Sequence, residues 1–322
     1  MADRRKTDDR IKIGISTCLL GQKVRFDGGH KHDRYITDML GQYFRFLPVC
    51  PELEIGMGVP REAVRLEGSA DSPQMVGNKT RKDWTEKMVR YSEKRVRARD
   101  LSDICGYILK KDSPSCGMER VKIYGDSGMA RRDGVGLYAA SLLKHFPLLP
   151  IEEEGRLNDA RLRENFIVRV FSYRRLQNLF DGRFTLARLV RFHTVHKYLL
   201  LAHSPKHYKQ LGQLVAAARK YALPDLRKEY AGLFMEAFSV KTTAKKNVNV
   251  MHHIMGFLKN LLTADRKKDI LRSIEDYRNG LVPLVVPLTL IRHYVVIHDI
   301  EYVCDQVYLN PYPDELMLRN HV

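Results

Sequence analysis

The sequence predicts an α/β N-terminal domain built on a mainly parallel sheet, followed by an all-α C-terminal domain. Three observations carry that expectation. Residues 11 to 150 alternate short apolar runs with longer amphipathic ones, the pattern of strands joined by helical crossovers. From Ala160 onward the apolar residues recur at helical spacing. Between the two textures lies IEEEGRLND, an acidic stretch that reads as a hinge and divides the chain into 1–155 and 156–322.

In chain order, IKIGIST reads as the first strand and DRYITDMLGQYF as an amphipathic helix. FLPVC and AVRLE are strand-like, and DWTEKMVRYSEKRVRARD is a long amphipathic helix whose Trp84 belongs to the core. DICGYILK, GVGLYAASLLKHF and PLLP complete the alternation. In the second half, ARLRENFIVRVFSYRRLQNLF, FTLARLVRFHTVHKYLLLAH and SPKHYKQLGQLVAAARKYAL are helix-periodic, with Ser204 as a cap and Pro205 in the first turn. KTTAKKNVN, residues 241 to 249, is polar and basic and reads as a loop. GLVPLVVPLTLIRHYVVIHDIEYVCDQVYL, apolar but broken by prolines, reads as a turn feeding a buried helix.

A chain of 322 residues, 44% hydrophobic and 29% charged, has the balance of an ordinary globular protein with material for two domains. The start, MADRRKTDDR, leads into no apolar signal region, and no uncharged run approaches the roughly 20 residues of a membrane span. A cytoplasmic location with no membrane and no protein partner is the expectation. Five scattered cysteines are too few for a disulfide scaffold and suit metal or catalytic use in a reducing compartment.

The net charge of +17 points to a polyanionic partner, RNA or DNA before a membrane. The excess is steepest from Arg188 to Lys259, where 13 Lys or Arg face three acids. Lys197, Lys206, Lys209, Arg219, Lys220, Lys245 and Lys246 are the candidate phosphate contacts. His193 and His196, and the pair His252 and His253, read as core or interface residues, since no carboxylate at matching spacing completes a helix metal site.

Three cysteines follow three different predicted strands: Cys18 after IKIGIST, Cys50 after FLPV, and Cys116 in the DSPSCG loop after ICGYIL. Carboxyl ends of parallel strands share one edge, so the three thiols are expected to meet there, with Cys105 and Cys304 out of reach. A structural zinc site wants four ligands with close pairs, which are absent, and a catalytic zinc more often includes His or Glu. A 4Fe–4S cluster on three cysteines leaves one iron open. Three unrelated buried cysteines explain the spacing about as well. Asp112 reads as a turn residue, and Arg25, Asp27, Gly28 and Gly29 as a polar loop beside Cys18.

The strings ISTCLLGQKVRFDGGHK, PVCPE and DSPSCG resemble the TudS-type thiouracil desulfidases over roughly residues 10 to 150. FHTVHKYLLLAHSPKHYKQLG, PLVVPLTLIRHY and YLNPYPDEL resemble the YbgA-like domain, and the fusion resembles the RudS type of tRNA 4-thiouridine desulfidase. The resemblance implies a 4Fe–4S cluster held by Cys18, Cys50 and Cys116, with Ser113 and an acid, Glu52, as catalytic side chains; Glu54 lies two residues beyond Glu52. It implies tRNA as the substrate and partner. EIGMGVPRE departs from the pattern of shorter single-domain relatives, a difference that bears on the substrate.

Overall fold

The computed structural model describes residues 10–125 and 127–321, so the charged opening nonapeptide lies outside the described residues. The chain divides into two compact units, Met1–Asn158 and Asp159–Val322.

The first unit holds two four-stranded sheets. One contains β1 (Ile11–Ser16), β2 (Phe44–Val49), β5 (Tyr107–Leu109) and β8 (Ile151–Glu153), in the order β2-β1-β5-β8, with all three pairings parallel. Ile13 and Ile15 of β1 are wholly buried, as continuous apolar strands of a covered parallel sheet require. Gly14 sits between them because a Cβ there would lie 2.3 Å from the Tyr107 ring on β5. Short helix α1 (Pro51–Glu54) follows β2, while α2 (Thr85–Arg95) and α3 (Leu137–His145) pack on one another.

The second sheet, in the order β4-β3-β6-β7, is mixed and is absent from the sequence-based expectation apart from AVRLE. It forms from two antiparallel hairpins carried inside the crossovers: β3 (Val64–Gly68) with β4 (Pro73–Gly77), and β6 (Val121–Tyr124) with β7 (Ala130–Gly134). Parallel pairing of β3 with β6 joins them.

Two further expectations are corrected here. DRYITDMLGQYF does not form a regular α-helix; a π-turn over Tyr35–Met39 and a 3₁₀ turn over Leu40–Gln42 carry it. IEEEGRLND divides the units only at its end, between Asn158 and Asp159; its first residues are strand β8, and Glu152, Glu153 and Glu154 are all buried. Their carboxylates are satisfied: Glu152 accepts from Arg156 Nε (2.6 Å), Glu153 from the Met118 amide (2.7 Å) and Glu154 from the Lys111 amide (2.8 Å). Burial without partners would be prohibitive, so the acidic run folds inward only because these donors meet it.

The second unit is helical: α4 (Ala160–Phe180), α5 (Leu186–His203), α6 (Pro205–Ala216), α7 (Leu223–Ser239), α8 (Ala244–Leu258), α9 (Ala264–Arg278), α10 (Val285–Ile297) and α11 (Glu301–Cys304). Asp159, Thr185, Ser204, Thr243 and Thr263 cap five of them through a side-chain oxygen on the amide three residues on. Thr243 explains why KTTAKKNVN is mostly helix: the capped helix starts at Ala244, and only three residues of that stretch precede it. Phe166, Tyr230, Phe234 and Phe238 fill the core, and Pro287 sits in the first turn of α10, compatible with the helix it opens. Among the described residues no helix is long and apolar enough to cross a membrane.

Candidate active site

The topology places three cysteines at the carboxyl ends of three neighbouring strands. Cys18 lies in the 3₁₀ turn Thr17–Leu20 directly after β1, Cys50 is the residue between β2 and α1, and Cys116 lies in the loop after β5. All three line one cavity of about 520 Å³, whose far wall comes from the mixed sheet, including Val64, Arg65, Val121 and Tyr124. Cys105 and Cys304 do not line it.

Burial dominates the electrostatics of the thiols. It pushes Cys18 up to about 11, with the Cys50 charge adding to the rise and Lys110 and Arg25 opposing it. Cys50 is raised, first by burial. Cys116, buried deepest, is raised furthest, against a hydrogen bond from Ser16. Three such thiols become thiolates together only when cationic charge enters the cavity with them. Among the described residues no three His, Cys, Asp or Glu side chains are grouped closely enough for a single metal ion. Three cysteine sulfurs on one cavity make a soft donor set, the kind that holds an iron–sulfur group.

Glu52 and Ser113 line the same cavity. Glu52 Oε2 accepts from Arg61 Nε (3.1 Å) and Nη2 (2.5 Å), and its Oε1 accepts from Ser115 Oγ (2.6 Å). Ser113 Oγ lies 3.0 Å from Ser115 Oγ and accepts from the Cys116 amide at 3.1 Å. Glu54 points elsewhere: it accepts from the Cys50 amide (3.1 Å) and from Tyr91 Oη (2.6 Å), securing the turn that presents Cys50. Asp112 adopts the left-handed conformation (φ 57°) that Asp tolerates in turns and pairs with Arg132 at 3.2 Å. Arg25 lines the cavity beside Cys18 and pairs with Asp27, which in turn accepts from the Gly29 amide.

Three site residues escaped the sequence. Arg61, in EIGMGVPRE, reaches back to Glu52 and also donates to the carbonyls of Val24 (3.0 Å) and Gly58 (2.9 Å). Ser115, only 1% exposed, joins Glu52 to Ser113. Glu154 holds Lys110 Nζ (2.5 Å) and the Lys111 amide at the root of the DSPSCG loop. The S-x-S-C spacing and the one arginine in a glycine- and proline-rich return loop were the available signals.

In the helical unit, Lys206, Lys209, Arg219, Lys220 and Lys245 are exposed. Lys197 is half-buried, its ammonium 4.8 Å from the Tyr302 ring centroid. Lys246 is also half-buried and donates to the carbonyls of His203 (2.6 Å) and Lys241 (3.1 Å), so its charge is engaged within the unit. His196 and His203 are buried, with Nδ1 hydrogen-bonded to backbone carbonyls, as core histidines are. His252 and His253 are exposed, and His253 stacks on Tyr198.

Residues 13–154 match the family described as 2-thiouracil desulfurase, and residues 197–313 match the family described as protein of unknown function (DUF1722). The uncharacterized protein YbgA of Escherichia coli (strain K12) is 26% identical over 165 residues, covering 51% of this chain and 98% of its own length. A solved structure of the [4Fe-4S]-dependent thiouracil desulfidase TudS is 28% identical, with a TM-score of 0.38, covering 47% of this chain and 95% of that one. The chain thus joins a region that matches the 2-thiouracil desulfurase family, which contains the cysteine cavity, to a region that matches DUF1722.

Proposed function

We propose that the protein removes sulfur from 4-thiouridine in tRNA, leaving uridine, with Cys18, Cys50 and Cys116 holding a 4Fe–4S cluster. TudS carries its dependence on such a cluster in its name. The observation that supports the reading most is the single cavity on which three strand-end cysteines meet Glu52 and Ser113. When bound, the cluster supplies an iron without a protein ligand, a soft Lewis acid suited to a thiocarbonyl sulfur.

The protein's own groups supply the rest. Glu52, fixed by Arg61, is a base for the attacking water, and Ser113 sits where a proton must be moved. The base keeps its oxidation state: a thiocarbonyl and water become a carbonyl and hydrogen sulfide. Exposed Lys206, Lys209, Arg219, Lys220 and Lys245 offer contacts to RNA phosphates, and the target base would have to leave its stack to enter the cavity.

The family match favours a second reading, desulfurization of free thiouracil. Incubating anaerobically purified protein with thiolated tRNA and, in parallel, with free thiouracil separates them. Uridine formation in tRNA is expected; turnover of the free base alone would replace the first reading by the second.

A further inference from the structure

From the hydrogen bonds around Glu52 we infer that Ser115 is the positioning residue that couples Ser113 to Glu52, making the three side chains one proton path. The inference rests on the desulfidase reading. Glu52 and Ser113 are not bonded to each other; every link between them runs through Ser115 Oγ, at 2.6 Å from Glu52 and 3.0 Å from Ser113.

The direction of the path follows from donor and acceptor counting. A carboxylate paired with a guanidinium only accepts, so Ser115 donates its one proton to Glu52 Oε1. Its weaker contact, to Cys116 Sγ at 3.8 Å, cannot compete for that proton. Ser113 Oγ already accepts from two amides, Cys116 at 3.1 Å and Ser115 at 3.3 Å. Its own proton is therefore directed to Ser115 Oγ. All three hydroxyl and carboxylate groups then point one way, from the cavity to Glu52. Arg61 holds the far carboxylate oxygen and is itself fixed by two backbone carbonyls, so the acceptor end cannot swing toward Ser113 and bypass the link.

In turnover, a water forms its bond to the thiocarbonyl carbon and gives a proton to Ser113 Oγ, displacing the longer amide contact. Ser113 passes its proton to Ser115 and Ser115 passes its proton to Glu52. As the carbon–sulfur bond breaks, Glu52 returns that proton through Ser115 and Ser113, whose hydroxyls turn over, and sulfur, leaving with the bonding pair, takes it up together with the second water proton. The sum is a carbonyl and hydrogen sulfide, with no electron gained or lost.

The test uses full-length, anaerobically loaded enzyme. Ser115→Ala, Ser113→Ala and the double variant are compared with Ser115→Thr, which keeps the hydroxyl. Expected are unchanged iron content and cluster absorption, kcat losses of about 10²-fold or more in each alanine variant with little change in KM, and no additional loss in the double variant. Ser115→Thr should recover to within about tenfold of the unsubstituted enzyme, a partial rescue of an effect of the size expected for general acid–base catalysis. In mixtures of H₂O and D₂O, the unsubstituted enzyme should show a curved dependence of rate on deuterium content, the mark of several protons moving together, and Ser115→Ala a straight line. Full activity in Ser115→Ala, losses that multiply in the double variant, or a straight line in the unsubstituted enzyme would overturn the inference while leaving the desulfidase reading in place. Absence of turnover on either thiolated substrate by the unsubstituted enzyme would instead remove that reading, and this one with it.

Discussion

Arg61 and Arg132 both meet a carboxylate on the cavity wall, yet their environments make them unequal. The Arg61 side chain is 5% exposed and Glu52 14%, whereas Arg132 and Asp112 are each about half exposed. Breaking a buried pair strands a charge, so Arg61→Ala should lower the unfolding free energy by roughly 3 kcal/mol. Arg132→Ala should cost less than about 1 kcal/mol, both read from urea denaturation. The cysteines divide in the same way: Cys116→Ser should abolish iron binding after anaerobic reconstitution, while Cys105→Ala, outside the cavity, should retain it. Cys18, Cys50 and Cys116 were legible because a residue just past a parallel strand has only one edge to occupy. Arg61 and Ser115 were not, since their meeting place depends on the path of loops from residue 50 to 63 and 110 to 120, which no periodicity encodes.

Among the elements, α3 approaches the DSPSCG loop so closely that Gly136, the residue capping its start, accepts no side chain. A Cβ on Gly136 would lie 2.6 Å from the Ser115 carbonyl and 2.9 Å from the Cys116 amide. Gly136→Ala should displace that loop, lowering both stability and iron retention, measured by thermal melts and metal analysis. Helix α5 carries a different liability. Burial lowers His193 and His203 to about 4 and His196 to about 3, against about 6.5 in an unfolded chain. Between these values the unfolded chain binds more protons, so stability is full above pH 6.5 and declines as pH falls toward 4. Each tenfold mismatch in proton affinity is worth about 1.4 kcal/mol, so helix content should melt at markedly less urea at pH 5 than at pH 7. Strands β1, β2 and β5 of the parallel sheet announced themselves in the sequence as apolar runs, whereas β8 lay hidden in the acidic stretch. The second sheet did not: in β7 the first four residues are exposed and charged or small, and β6 alternates buried with exposed, so neither shows the continuous apolar run that marked the first sheet.

At the scale of the whole molecule, the basic charge and the two-unit division bear on the same question, whether the proposed tRNA substrate is held by the helical unit. If the five exposed cations each neutralise one phosphate, the logarithm of RNA affinity should fall with the logarithm of salt with a slope of roughly 4. Replacing Lys206, Lys209, Arg219 and Lys220 by Gln should flatten that slope and leave turnover of free thiouracil unchanged, since none of the four lines the cysteine cavity. The positive balance was plain in the composition; which lysines are spent internally, as Lys246 is, required the folded chain. Strand β8 adds a constraint of timing. It is the last strand of its sheet in chain order, and its Glu153, with the adjoining Glu154, fastens the amides of Met118 and Lys111. A nascent polypeptide that has emerged from the ribosome only as far as residue 150 owns all three cavity thiols but lacks the clasp that shapes the loop carrying Cys116. Cofactor insertion would then wait until synthesis has moved into the helical half.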